Sequence, residues 1–275
     1  MKTEKTPIIA IANQKGGVGK TTTAINLSQA LALLECRVLL VDLDPQGNAT
    51  QGMGINLESI TNSVGDLIRS REVPAESVIY KGEGVDLVPS TPLLARIERE
   101  LVGLTNGELR FAHRVRELRE KYDLILIDTP PTFGPLMNSA LNAADSLIVP
   151  VDASYFALMG IKELLAELLE IRAGTNPGIS ILGYLLTLGD HTKVSMECFE
   201  TLVESFGDEV FKTTIRRSVK LKEAPAVQKT IFHHAPESTG AEDYLKLAHE
   251  LLGRLETKKI ARQTLVDASQ EVSHV

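Results

Sequence analysis

Residues 14–22 read QKGGVGKTT and follow directly on the apolar run IIAIA (8–12). No other stretch restricts the possible folds as strongly. A short apolar strand, a glycine-rich turn and a Lys-Thr pair opening a helix together surround phosphate oxygens with backbone N–H groups and a helix N-terminus. The arrangement needs a strand whose C-terminal end is open and a helix packed behind it. Gly16, Gly17 and Gly19 let the backbone close around an anion, and Val18 lies in the same cradle. Lys20 would neutralise the β- and γ-phosphates. The Thr21 hydroxyl would bind Mg²⁺, and Thr22 would reach the α-phosphate. The loop departs from the common G-x-x-x-x-G-K-[ST] pattern, because Gln14 stands at the first glycine. It also carries a second lysine, Lys15, which one phosphate chain does not require. The competing reading is a plain glycine turn, and the Lys-Thr pair in register with the helix weighs against it.

The rest of the chain agrees with that start. Short, nearly unbroken apolar runs recur at 38–43 (VLLVDL), 85–88 (VDLV), 124–128 (LILID), 146–151 (SLIVPV) and 180–187 (SILGYLLT). Strands buried on both faces have this character, so they predict parallel pairing. Helical periodicity lies between them. Ala24, Leu27, Leu31 and Leu34 share one face, and further helices are expected over 109–121, 161–171 and 244–255. The segment 49–80 contains no clear strand and reads as helical or loop-like. The predicted fold is α/β, a doubly wound, mostly parallel sheet flanked by helices. One domain is expected over 7–256, between a flexible N-terminus (1–6) and a disordered tail (257–275).

Composition narrows the function. Aromatic residues are 4% of the chain and Trp is absent, which argues against a base-stacking platform. The net charge of −7 excludes a surface coated with nucleic acid but allows one local basic patch. Cys36 and Cys198 have no metal-ligand spacing and read as reduced thiols. Neither a leader peptide nor a membrane span is expected.

Two further stretches carry chemistry. LILIDTPP places Asp128 after four apolar residues, at a strand's C-terminal end, where it would hold Mg²⁺ directly or through water. A capping role before Pro130 and Pro131 is the competing reading. VDLDPQGNAT (41–50) places Asp42 and Asp44 at another strand end, where ligands bind in open α/β sheets. Two carboxylates beside a triphosphate would repel it unless they served metal or water. Asp44 would orient an attacking water and Asp42 would assist at the metal; turn formation by DPQGN is the alternative for both.

Together, KGGVGKTT, VDLDPQGNAT and LILIDTPP closely resemble the deviant Walker A ATPases of the ParA/Soj type, within the ParA/MinD superfamily. TTIRRSVKLKEAP (213–225) and STGAEDYLKLAHELL (238–252) are similar to that family's later motifs, so the resemblance spans roughly residues 7–255. It implies a slow, partner-stimulated ATP hydrolase that uses ATP and Mg²⁺ and forms a homodimer when ATP-bound. Lys15 would reach the partner subunit's phosphates, Gly16 would permit the two loops to approach, and Asp44 would match the acid associated with hydrolysis. The resemblance further implies non-specific binding to double-stranded DNA, a ParB-like stimulating protein, and a cytoplasmic, nucleoid-associated role in chromosome or plasmid segregation.

Residues 211–222 (FKTTIRRSVKLK) hold five basic residues and no acid, so Arg216, Arg217, Lys220 and Lys222 are the candidate DNA contacts. A solvated basic loop is the plain alternative. The chain departs from the family where Arg216 replaces a proline, where His191 or Lys193 stands near a second DNA-contact arginine, and where Ser154 replaces a glutamate. A member of the same family that positions another cargo, such as a carboxysome, a chemotaxis cluster or a division regulator, would share every motif. A MinD-like membrane-positioning ATPase would need a bulky apolar anchor, and the tail offers only Ile260, Leu265 and Val266.

Overall fold

A computed structural model describes residues 5–153, 157–190 and 192–272, with the side chains of 157–159 and 259–272 outside the description. Six strands form one parallel sheet: β1 (Ile8–Ile11), β2 (Val38–Asp42), β3 (Val85–Val88), β4 (Leu124–Asp128), β5 (Ser146–Asp152) and β6 (Ser180–Thr187). Their spatial order is β3-β2-β4-β1-β5-β6. All six apolar runs singled out in the sequence are these strands, and the doubly wound α/β prediction holds. Parallel neighbours need crossovers, and helices supply them: α1 (Lys20–Leu33), α2 (Asn48–Gly52), α3 (Val64–Arg69), α4 (Leu94–Val102), α5 (Leu109–Arg116), α6 (Pro135–Ala143), α7 (Ala157–Ala173), α8 (Lys193–Phe206), α9 (Val219–Ala226), α10 (Ile231–His234) and α11 (Thr239–Val272).

The pleat divides the core in two. Ile8, Ala10, Leu39, Val41, Ile125 and Ile127 face the layer that contains α3 to α8. Ile9, Ile11, Leu40, Leu124 and Leu126 face α1 and α11. Helix α1 is buried nearly all round because it lies between the sheet and α11. The Thr23 and Tyr244 hydroxyls meet across that contact at 3.2 Å.

Segment 49–80 is helical and loop-like, with α2, α3 and two 3₁₀ turns and no strand. The expected helix over 109–121 is shorter, ending at Arg116 before a separate 3₁₀ turn at Arg119–Lys121. The closing helix α11 is longer than its apolar period suggested. It starts at Thr239 and continues to Val272, through most of the polar stretch expected to be a disordered tail. Cys36 and Cys198 form no disulfide among the described residues. Among the described residues no helix is long and apolar enough to cross a membrane.

Candidate active site

Strand order brings the chemistry together. β1 lies between β4 and β5, so the loop after β1 opens beside the ends of both. Ile11 and Asp42 are both register partners of Asp128. Loop and acids therefore meet at one end of the sheet, the C-terminal end where open α/β sheets bind ligands.

The loop's shape comes from two glycines in left-handed conformations, Gly17 (φ 77°) and Gly19 (φ 84°), the latter capping α1. A Cβ at Gly16 or Gly17 would meet no protein atom within 4 Å, so packing does not demand glycine there. The loop is pinned from outside. Thr187 Oγ1 donates to the Val18 carbonyl at 2.8 Å, and Asn13 Nδ2 donates to the Pro150 carbonyl at 2.6 Å. Thr129 Oγ1 donates to the Ile11 carbonyl at 2.8 Å.

Lys20 is 6% exposed, and its Nζ donates to the Lys15 carbonyl at 2.9 Å. Burial lowers its pKa, and the nearby Asp128 and Asp44 oppose that shift. Lys15 points elsewhere: its Nζ donates to both Asp152 oxygens, at 2.9 and 2.7 Å, at the end of β5.

The three acids differ in their surroundings. Asp42 is fully buried; one oxygen accepts from the Thr50 N–H (2.8 Å) and hydroxyl (2.6 Å), the other from the Asp44 N–H (3.1 Å). Thr50 in turn accepts from the Ser90 N–H at 2.9 Å. Through these three bonds Asp42 holds α2 and the loop before it. Asp44 closes the turn that precedes α2 by accepting from the Gln46 N–H at 2.9 Å, and burial raises its pKa against the pull of Lys20. Asp128 is fully buried, and neither of its oxygens takes a hydrogen bond of good geometry. Burial drives its pKa well up, Asp42 adds to this, and the nearby Thr21 hydroxyl opposes it.

A buried carboxylate with no well-formed hydrogen bond among the described residues, beside a hydroxyl and a lysine, suits a cation such as Mg²⁺. Among the described residues no three His, Cys, Asp or Glu side chains form a metal cage. An ion held by one carboxylate, one hydroxyl and substrate phosphates needs no such cage. Beside Thr21 and Thr22 lies a cavity of about 320 Å³, walled by Ile25, Asn48, Gln51 and Pro225. Sequence reasoning named none of those four. They come from three separate segments: Asn48 and Pro225 lie inside the stretches 41–50 and 213–225, and Ile25 and Gln51 just beyond recognised motifs.

The basic stretch is divided. Arg217, Lys220 and Lys222 are exposed. Arg216 is not available in the same way: its guanidinium pairs with the buried Asp243 and with Glu242, and its N–H donates to Asp243 at 2.9 Å. These contacts tie the loop to α11. Lys220 pairs with Glu223 at 2.8 Å on the surface of α9. Lys193 is exposed at the start of α8, and His191 and Ser154 lie outside the described residues.

A family profile described as AAA domain matches residues 6–181. The chromosome-partitioning ATPase Soj of Thermus thermophilus is 48% identical over 249 residues, 90% of this chain and 96% of that protein. The sporulation initiation inhibitor protein Soj of Bacillus subtilis is 43% identical over 246 residues, 89% of this chain and 97% of the relative. Cobyrinic acid a,c-diamide synthase from Mycobacterium smegmatis, solved with bound ADP and magnesium, superposes with a TM-score of 0.81. It is 30% identical and covers 92% of this chain and 96% of its own.

Proposed function

The chain belongs to the Soj/ParA partition ATPases of the ParA/MinD superfamily, and from that premise we propose how its residues divide the work. It is an ATP hydrolase that uses Mg²⁺. Lys20 neutralises the phosphates of its own subunit's ATP. Thr21 and Asp128 hold Mg²⁺, directly or through water, and the ion when bound draws charge from the β- and γ-phosphates. Gly16, Gly17, Val18, Gly19 and Thr22 line the phosphate cradle. Asp44 orients the attacking water, and Asp42 keeps Asp44 in place through the Asp44 N–H and Thr50.

ATP binding joins two protomers face to face, and Lys15 leaves Asp152 to reach the other subunit's phosphates. The dimer binds double-stranded DNA without sequence preference through Arg217, Lys220 and Lys222. A ParB-like protein stimulates hydrolysis and releases it. The setting is cytoplasmic and nucleoid-associated, and the cargo is a chromosome or plasmid.

The observation that carries the catalytic reading is the buried Lys20 between Asp44 and an Asp128 whose oxygens are unsatisfied. An Asp44→Ala variant tests it. ATP binding persists, while turnover falls by about 10² or more, the usual loss when water activation is removed. Undiminished turnover removes Asp44 from the mechanism.

A further inference from the structure

A second cluster of cations lies outside the active site, on the α3-to-α8 side of the sheet, away from α1. The groove between α3 and α5 encloses a cavity of about 440 Å³, lined by Arg69, Arg71, Arg110, His113 and Arg114 with a single acid, Glu72. Four guanidiniums converge there in a chain whose net charge is −7. Neighbouring acids satisfy them unevenly. Arg69 reaches Glu100 only at 3.7 Å. Arg71 and Arg110 form no ion pair among the described residues. Arg114 is 8% exposed, bonds Glu117 at 2.6 Å and the Val73 carbonyl, and still has a buried Nε with no hydrogen-bond partner.

We propose that this groove is a binding site for a small polyanion with adjacent phosphoryl groups. Like charges held together repel one another, and an anion seated among them reverses that repulsion. The guanidinium fork matches phosphoryl oxygens two at a time, so several forks around one cavity favour a ligand with neighbouring phosphoryl groups. The volume falls in the range of small-ligand pockets, roughly 300–1,000 Å³. A concave floor with a buried arginine suits a compact ligand better than the convex backbone of a duplex. None of the cavity's residues belongs to the phosphate loop or touches the three site carboxylates, so occupancy there is separate from ATP.

Inorganic pyrophosphate is the probe, titrated calorimetrically into the full-length protein and into Arg71→Glu/Arg110→Glu. The loop at 14–22 is intact in both, so pyrophosphate taken up there is common to both. The expected result is a binding event that weakens at least tenfold in the double variant, with thermal midpoint and basal ATP turnover unchanged. Citrate, with carboxylates in place of phosphoryl groups, should bind at least tenfold more weakly than pyrophosphate. If charge reversal lowers the midpoint, Arg71→Gln/Arg110→Gln replaces it, and a clear weakening is still expected. Superimposable pyrophosphate isotherms overturn the proposal, and so does citrate binding as well as pyrophosphate. Loss of duplex-DNA affinity with unchanged pyrophosphate binding also overturns it, and makes the groove part of a nucleic-acid surface.

Discussion

Three aspartates at one end of the sheet differ because their donors differ. Asp42 has three, Asp44 has one from its own turn, and Asp128 has none of good geometry. The consequence shows in pH. Burial pushes Asp42 up to about 6 from an ordinary 3.8, despite the Thr50 donors. The folded state then binds the proton more tightly than the unfolded one, so unfolding releases it between about pH 4 and 6. Stability from this group is present at low pH and lost as pH rises through 6, by about 3 kcal/mol at most. The nucleotide-free protein should therefore gain in thermal midpoint from pH 7 to pH 5, and Asp42→Asn should flatten that slope. A slope unchanged in the variant assigns it to other groups. The meeting of Lys20, Asp44 and Asp128 at one site was legible because each sits at a fixed offset from an apolar run. Asp152 and Arg216 were not. Nothing in SLIVPVD marks its last residue as the partner of Lys15, 137 positions earlier. Likewise a run of basic residues does not reveal that Asp243 lies beneath one of them.

Elements were easier to read than contacts. Strands buried on both faces must be apolar throughout, so six runs named six strands almost to the residue. Helices α2 and α3, five and six residues long, are too short to show a period, and segment 49–80 stayed undefined in sequence for that reason. The loop before α9 and the start of α9 carry the basic stretch, and their two functions separate by substitution. Lys220 sits exposed on α9, so Lys220→Ala should weaken DNA binding alike for all sequences and lower the salt slope by about one. An unchanged slope moves the DNA surface elsewhere. Arg216 ties the loop to α11, so Arg216→Ala should instead cost about 1–3 kcal/mol of stability by leaving the buried Asp243 with only the backbone N–H of residue 216 from that partner. Denaturant unfolding measures this, and an unchanged midpoint shows that the tie is not structural.

At the scale of the molecule, the order β3-β2-β4-β1-β5-β6 determines what the loop can touch. With β4 on one side of β1 and β5 on the other, Lys20 faces the acids while Lys15 faces Asp152. The two lysines of one short loop thus look to opposite neighbours. A partly exposed ion pair like Lys15–Asp152 contributes about 0.2–1 kcal/mol. The proposed dimer is two-fold, so whatever one protomer gives up the other gives up too. Two such losses total about 0.4–2 kcal/mol, a factor of roughly 2 to 30 in the dimerisation constant. Asp152→Asn should lower by about that factor the concentration at which ATP-loaded protein is half dimeric in sedimentation. A half-point that is unchanged or higher shows that the pair does not oppose assembly. The pair, weak in one chain, enters the assembly equilibrium as a square. It thereby raises the concentration at which ATP-bound protein pairs, so that well below it pairs grow as the square of the protein present and crowding at a cargo would recruit them more steeply than in proportion.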